Sequence, residues 1–139
     1  MKRRASLESM RYMAIDYGSK RIGIALSDEK NEFALPKAVY PNDDRLLDTI
    51  VLFIRHNDVG TVVLGESHDF SGKENKIMKE IREFKSRLER ATDVKIKFGP
   101  EFYTSAEAER LQGKNDMLDA SAAALILKSY LDKKKNDQF

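Results

Sequence analysis

The 139-residue chain contains no cysteine and no tryptophan. Without cysteine there is no disulfide framework, no thiolate metal site and no cysteine nucleophile. Its two histidines, His56 and His68, stand apart in the sequence. No apolar run approaches the ~20 residues that a membrane helix requires. Basic residues open the chain, but Arg11 interrupts before any apolar stretch of signal-peptide length. The expectation is a soluble cytoplasmic protein without a membrane partner. Nor is there an excess of one charge: 25 Lys and Arg face 23 Asp and Glu, a formal net charge of +2. Any basic binding surface must therefore be local.

What is present suits one small globular domain. The hydrophobic fraction is 41%, and the charged fraction, 35%, is high, as in a domain with much surface or one that handles a charged ligand. Residues 1–11 lack a hydrophobic period and read as a flexible arm. Residues 12–132 read as a single domain, and residues 133–139, with three consecutive lysines, as a flexible tail.

Within the domain the apolar pattern predicts strands at 13–15 and 22–26, joined by the Gly18 turn tightly enough to be antiparallel. Residues 33–40, with Pro36 inside, read as an edge strand. Asn42-Asp43-Asp44 signals a helix start before apolar residues at helical spacing, Leu46 to Ile54. Thr61 to Leu64 reads as a strand buried on both faces. Residues 67–73 form a polar loop, and a charged amphipathic helix follows over about 74–90. The alternation Val94 to Phe98 predicts a strand with one wetter face. Two helices close the chain, at 104–111 and 116–131; the small residues 120–124 let the latter lie close to a sheet. A meander followed by alternating units implies an α/β mixed sheet with helices packed on its faces.

One residue stands out chemically. Asp16 sits where the first apolar strand ends, followed at once by a glycine turn and two cations, Lys20 and Arg21. A carboxylate at a buried strand end is poorly solvated and wants a partner; a metal ion bound to a phosphate is one. Capping of the following turn is the plainer alternative. Lys20 and Arg21 could hold nucleic-acid phosphates, or form a solvated hairpin tip.

Three separated motifs then resemble one family, the YqgF/RuvX nucleases of ribosomal RNA maturation. Asp16, Gly18, Lys20, Arg21, Ile22, Gly23, Ala25, Ser27 and Asp28 match its opening pattern. Glu101 and Thr104 to Glu109 resemble its D-E-R-x-T-T-x-E-A-E segment, and Asp119 to Leu131 its closing helix. The chain departs from the pattern at Pro100 and Phe102, which replace an acid and an arginine, and at Gly65-Glu66-Ser67, which adds a carboxylate at a strand end.

The resemblance implies a ribonuclease H-like fold: a mixed five-stranded sheet, antiparallel meander then parallel strands, with helices on both faces. It implies that Asp16, Glu101 and Asp119 are the catalytic, metal-binding acids. Glu66, outside the family's pattern, is a further candidate ligand, supplementing Glu101 or replacing it, or else an ordinary loop glutamate. A ligand set of carboxylates suits Mg²⁺ or Mn²⁺. Two such ions neutralise the attacking and leaving oxygens of a phosphodiester.

The implied activity is a metal-dependent nuclease acting on RNA, in processing of the small-subunit ribosomal RNA precursor. Its partners would be nucleic acid, RNA ahead of DNA junctions, and ribosome-assembly intermediates; its state, monomer or weak homodimer. A Holliday-junction resolvase is the alternative of the same class. A non-catalytic RNA-binding or ribosome-assembly factor is the alternative of another class, and an actin-type ATPase would need a second such domain.

Overall fold

The computed structural model describes residues 10–66, 76–99 and 118–136, with the side chains of the last segment described from Ala120 onward. The loop expected at 67–73, the helix at 104–111 and Glu101 lie outside the described residues, as do the first nine residues and the last three.

Five strands form one mixed sheet. β1 (Arg11–Tyr17), β2 (Arg21–Ser27) and β3 (Ala34–Pro41) are the antiparallel meander. Helix α1 (Leu46–His56) leads to β4 (Val59–Leu64), which pairs parallel with β1. Helix α2 (Lys76–Ala91) leads to β5 (Lys95–Phe98), parallel with β4. The spatial order is β3-β2-β1-β4-β5, and α3 (Leu118–Asn136) closes the chain. This is the mixed sheet that the sequence leads one to expect.

Strand alternation sorts the core into two layers. On one face Met13, Ile15, Ile22, Ile24, Leu26, Val62 and Leu64 pack against the apolar stripes of α1 and α2. On the other, Ala14, Ala25 and Val63 receive Ala123, Ile126, Leu127 and Leu131 of α3. The α3 face of the sheet is thus paved with short side chains. Gly65 and Gly99 extend that paving, since a Cβ on Gly65 would meet Ile126 Cδ1 at 2.6 Å and one on Gly99 would meet Ile126 Cγ2 at 3.0 Å.

Three local differences from the sequence expectation have physical reasons. Strand β1 begins at Arg11, inside the expected arm, because the Arg11 N–H donates to the Asp58 carbonyl and the Tyr12 N–H to Ser27 Oγ. Asp43 does not cap α1; its carboxylate accepts from the Arg45 N–H at 3.0 Å and shapes the turn before the helix. The tail is shorter than expected, because α3 continues to Asn136, with Lys134 donating to the Tyr12 hydroxyl and lying over its ring. Pro36 is on the edge strand as expected, at an irregularity in the β2–β3 register.

The turn between β2 and β3 carries a pH-dependent element. Asp28 accepts from the backbone N–H groups of Phe33 (2.9 Å) and Glu32 (2.7 Å). These bonds, that from Phe33 foremost, hold its carboxyl below the usual range. A lowered folded-state pKa means stability that is present above the unfolded pKa and lost as pH falls through the folded one. Asp28→Ala is therefore expected to lower Tm at neutral pH, with the gap to wild type closing in acid; a gap independent of pH in melting curves would contradict this.

Candidate active site

The parallel strands β1, β4 and β5 end at one edge of the sheet. Register fixes this: Ile15 lies beside Leu64, and Leu64 beside Phe98. Beyond these, the Gly65 N–H donates to the Ile15 carbonyl (3.1 Å), and the Gly99 N–H to the Leu64 carbonyl (2.7 Å). Open α/β sheets bind ligands at such carboxyl ends.

Asp16 is the next-to-last residue of β1 and is half-buried. It alternates with Met13, Ile15 and Tyr17, which face α1 and α2, and so shares the α3 face with Ala14. Its cross-strand partner is Gly23. By the same alternation Arg21, two residues before Gly23, is on the α3 face of β2. The turn carrying Lys20 and Arg21 is pinned from both sides: the Gly18 N–H donates to the Arg21 carbonyl, Asn42 Nδ2 to the Gly18 carbonyl, and the Asn42 N–H to the Lys20 carbonyl. Asn42 reads from sequence as a helix-start residue, and the structure gives it this second role.

Helix α3 runs antiparallel to β1. Tyr130 stacks edge-on against Tyr12 at the start of β1, with ring centroids 5.8 Å apart, whereas Ile126 lies over Gly65 and Gly99 beyond the ends of β4 and β5. Position 119 lies a further two turns toward the N-terminus, about 10 Å along the axis. Ile126 thus stands level with the end of β1, and the first turn of α3 extends beyond the edge where Asp16 sits. The side chain of Asp119 lies outside the described residues. So does Glu101, two residues past Gly99.

Glu66 is half-buried, one residue past the point where Gly65 joins the ladder. Gly65, not Glu66, therefore takes the place beside Asp16 on the α3 face. Tyr17 packs against Phe84, with ring centroids 5.4 Å apart. It also lines a cleft of about 280 Å³ on the α1–α2 side with Asp43, Asp44, Glu80, Glu83 and Arg87. The charged residues of that lining, four acids and one arginine, repel a polyanion, which favours the α3 face for nucleic acid.

The donor chemistry fits a hard divalent cation. Asp16 offers carboxylate oxygen at a half-buried strand end, and the chain contains no thiol to compete.

Comparison with known proteins places the whole arrangement. Residues 10–133 match the family model described as "RuvX: Holliday junction resolvase". A relative from Ehrlichia chaffeensis is 33% identical over 90% of this chain and 86% of its own length; one from Anaeromyxobacter sp. is 36% identical over 88% and 97%. Both carry the name "Putative pre-16S rRNA nuclease". Among solved structures, Thermus thermophilus RuvC in complex with a Holliday junction superposes with a TM-score of 0.62 at 12% identity, covering 91% of this chain and 96% of that one. The fowlpox virus resolvase gives 0.53 at 15%, covering 89% and 99%. The two structures share the fold: a ribonuclease H-like sheet with helices on both faces. The family match runs unbroken from the start of β1 through β5 into α3, spanning every element that reaches the candidate site, and the chain belongs to the RuvX family.

Proposed function

We propose that the chain is a metal-dependent nuclease that hydrolyses phosphodiester bonds of RNA, in maturation of the small-subunit ribosomal RNA precursor. The observation that carries the reading is Asp16: a half-buried carboxylate at the carboxyl edge of the parallel strands, on the sheet face that α3 covers. Asp16, Glu101 and Asp119 would hold Mg²⁺ or Mn²⁺, with Glu66 a further candidate ligand. The metal, when bound, supplies charge neutralisation at the attacking and leaving oxygens of the phosphodiester.

The chain's own residues do the rest. Strand β1, paired on both sides, fixes Asp16 against movement. Gly23 and Gly65 flank it without side chains, and Ile126 fills the space above Gly65. Lys20 and Arg21, on a turn held by Asn42, bind a phosphate beside the scissile one as donors and point charges. The relatives' name supports RNA as the substrate, and their similarity covers most of the chain.

The family description and the likeness to RuvC favour a second reading, a Holliday-junction resolvase. One experiment separates them. A small-subunit precursor RNA with its flanking single strands and a four-way DNA junction are incubated with the protein and Mg²⁺. Cleavage of the RNA with the junction intact is expected. Junction cleavage with intact RNA establishes the resolvase, and cleavage of neither leaves a non-catalytic assembly factor. As a nuclease of ribosome assembly it would act in the cytoplasm, as a monomer or weak homodimer. Among the described residues no helix is long and apolar enough to cross a membrane.

A further inference from the structure

We propose that Asn42 is a positioning residue: its side-chain amide holds the β1–β2 turn, so that Lys20 and Arg21 are already in place when a substrate phosphate arrives. This rests on the nuclease reading of the Asp16 site and adds to it a residue that acts through its neighbours.

Residues 18–20 carry the chain from β1 to β2, past the last pair of that ladder, Tyr17 with Ile22. They continue beyond the carboxyl edge, two residues on from Asp16, and Lys20 and Arg21 are exposed there. A connection between two strands is ordinarily among the looser parts of a sheet. Here the turn is closed from within and braced from outside. The Gly18 N–H donates to the Arg21 carbonyl at 3.0 Å across its mouth, and a Cβ on Gly18 would stand 2.6 Å from that carbonyl oxygen, so glycine is needed there. From the end of β3, the Asn42 N–H donates to the Lys20 carbonyl at 2.9 Å, and Asn42 Nδ2 to the Gly18 carbonyl at 2.9 Å.

The amide bond is part-buried, which limits competition from water, and it joins residues 24 positions apart. Asn42 is anchored on its other side. The carbonyl of the next residue, Asp43, accepts from the Leu46 N–H at 3.1 Å, and its carboxylate from the Arg45 N–H at 3.0 Å. Leu46 and Ile50 of α1 then sit in the core. The Asn42 amide therefore ties the turn to the α1 framework, where the β1–β2 ladder alone would leave it attached only to its own strands.

The chemistry of the side chain suits the task. An amide donates a hydrogen bond without carrying charge, so it fixes the turn and leaves the field of Lys20 and Arg21 undiminished. An aspartate would bring only acceptors against the Gly18 carbonyl. A serine satisfies what a helix start asks for, a short polar side chain, but is too short to replace the amide. Fixing the backbone that carries two long cationic side chains removes part of the ordering cost from the binding step, and the gain appears in affinity. Phosphate contacts of this kind set register and carry no base preference.

The test compares the wild type with Asn42→Ser, with Lys20→Gln/Arg21→Gln and with the combined variant. Asn57→Ser is the control: Asn57 Nδ2 likewise donates to a carbonyl, that of Phe53 at 2.9 Å, but where α1 ends and leads to the start of β4, at the opposite edge of the sheet. A fluorescein-labelled RNA hairpin with single-stranded flanks is titrated without metal for Kd, and its cleavage in Mg²⁺ is followed. Asn42→Ser is expected to raise Kd and KM roughly fivefold with kcat within about twofold, as for lost uniform binding. Mn²⁺ affinity should not change. In the Lys20→Gln/Arg21→Gln background the same substitution should raise Kd by less than about twofold, because the side chains it positions are gone. Asn57→Ser gives up a similar bond and should bind and cleave as wild type. Unchanged Kd and KM in Asn42→Ser overturn the proposal, as does an equal rise in Kd in both backgrounds, or a loss of Mn²⁺ affinity. If the wild type binds the RNA without cutting it, the nuclease reading fails, while the Kd values still decide the role of Asn42; a wild type that binds no RNA overturns both.

Discussion

Asp16→Asn is expected to slow RNA cleavage by about 10³-fold or more while leaving the fold intact. The size follows from what the proposed mechanism assigns to it: a carboxylate that would hold the cation stabilising charge at the reacting phosphate, a contribution of several kcal/mol. The fold survives because the substitution keeps the shape of the side chain at a half-buried strand end. On the proposed reading, in which Glu101 and Asp119 share the site, it also removes negative charge and so relieves like-charge repulsion when no cation is present. Melting in EDTA should therefore give a Tm for the variant equal to or above that of wild type. Adding Mg²⁺ should raise the wild-type Tm by mass action and leave the variant unmoved. A variant that cleaves within tenfold of wild type would remove Asp16 from the mechanism.

The second large effect concerns Gly65. An added Cβ would stand 2.6 Å from Ile126 Cδ1 and 3.5 Å from its Cγ1, with the Ile15 carbonyl 3.8 Å away. Gly65→Ala is expected to cost about 1–3 kcal/mol through overpacking. The loss of unfolded-state freedom offsets part of that. Ile126→Val removes the Cδ1 that clashes and alone costs about 0.5–1.5 kcal/mol. The double variant should then be more stable than the sum of the singles by about 0.5 kcal/mol or more. The same contact seats α3 over the carboxyl edge, so Gly65→Ala should also slow cleavage by shifting the first turn of α3, and Ile126→Val should restore part of the rate. Strict additivity in denaturant melts would mean that Ile126 does not set the height of α3 above the sheet.

Both predictions turn on features that differ in how they can be read from sequence. The meander is legible because Ile22 to Leu26 and the Gly18 turn are local signals, and the parallel strand β4 because Thr61 to Leu64 reads as buried on both faces, although the strand begins two residues earlier, at Val59. Asp16 is legible as chemistry, since a lone carboxylate ending an apolar run is conspicuous. The roles of Glu101 and Asp119 come only from the family resemblance: an acid in the first turn of a helix is ordinary by itself. The glycine paving is not legible, because Gly65 and Gly99 matter through Ile126, a residue distant in sequence. The length of α3 is missed for a similar reason. Its lysines look like a solvated tail until Tyr12 is seen to receive Lys134. Asn42 belongs to a helix-start signal, and α1 does begin at Leu46, but its bonds to the Gly18 and Lys20 carbonyls are not legible because they join residues distant in sequence.

The central claim is that Asp16, Glu101 and Asp119 together bind a divalent ion. Its most direct test is Mn²⁺ titration of the full chain, followed by calorimetry or electron paramagnetic resonance, for wild type and for Asp16→Asn, Glu101→Gln and Asp119→Asn. Each single substitution is expected to weaken Mn²⁺ binding at least about tenfold. Three variants that bind Mn²⁺ as tightly as wild type would contradict the account.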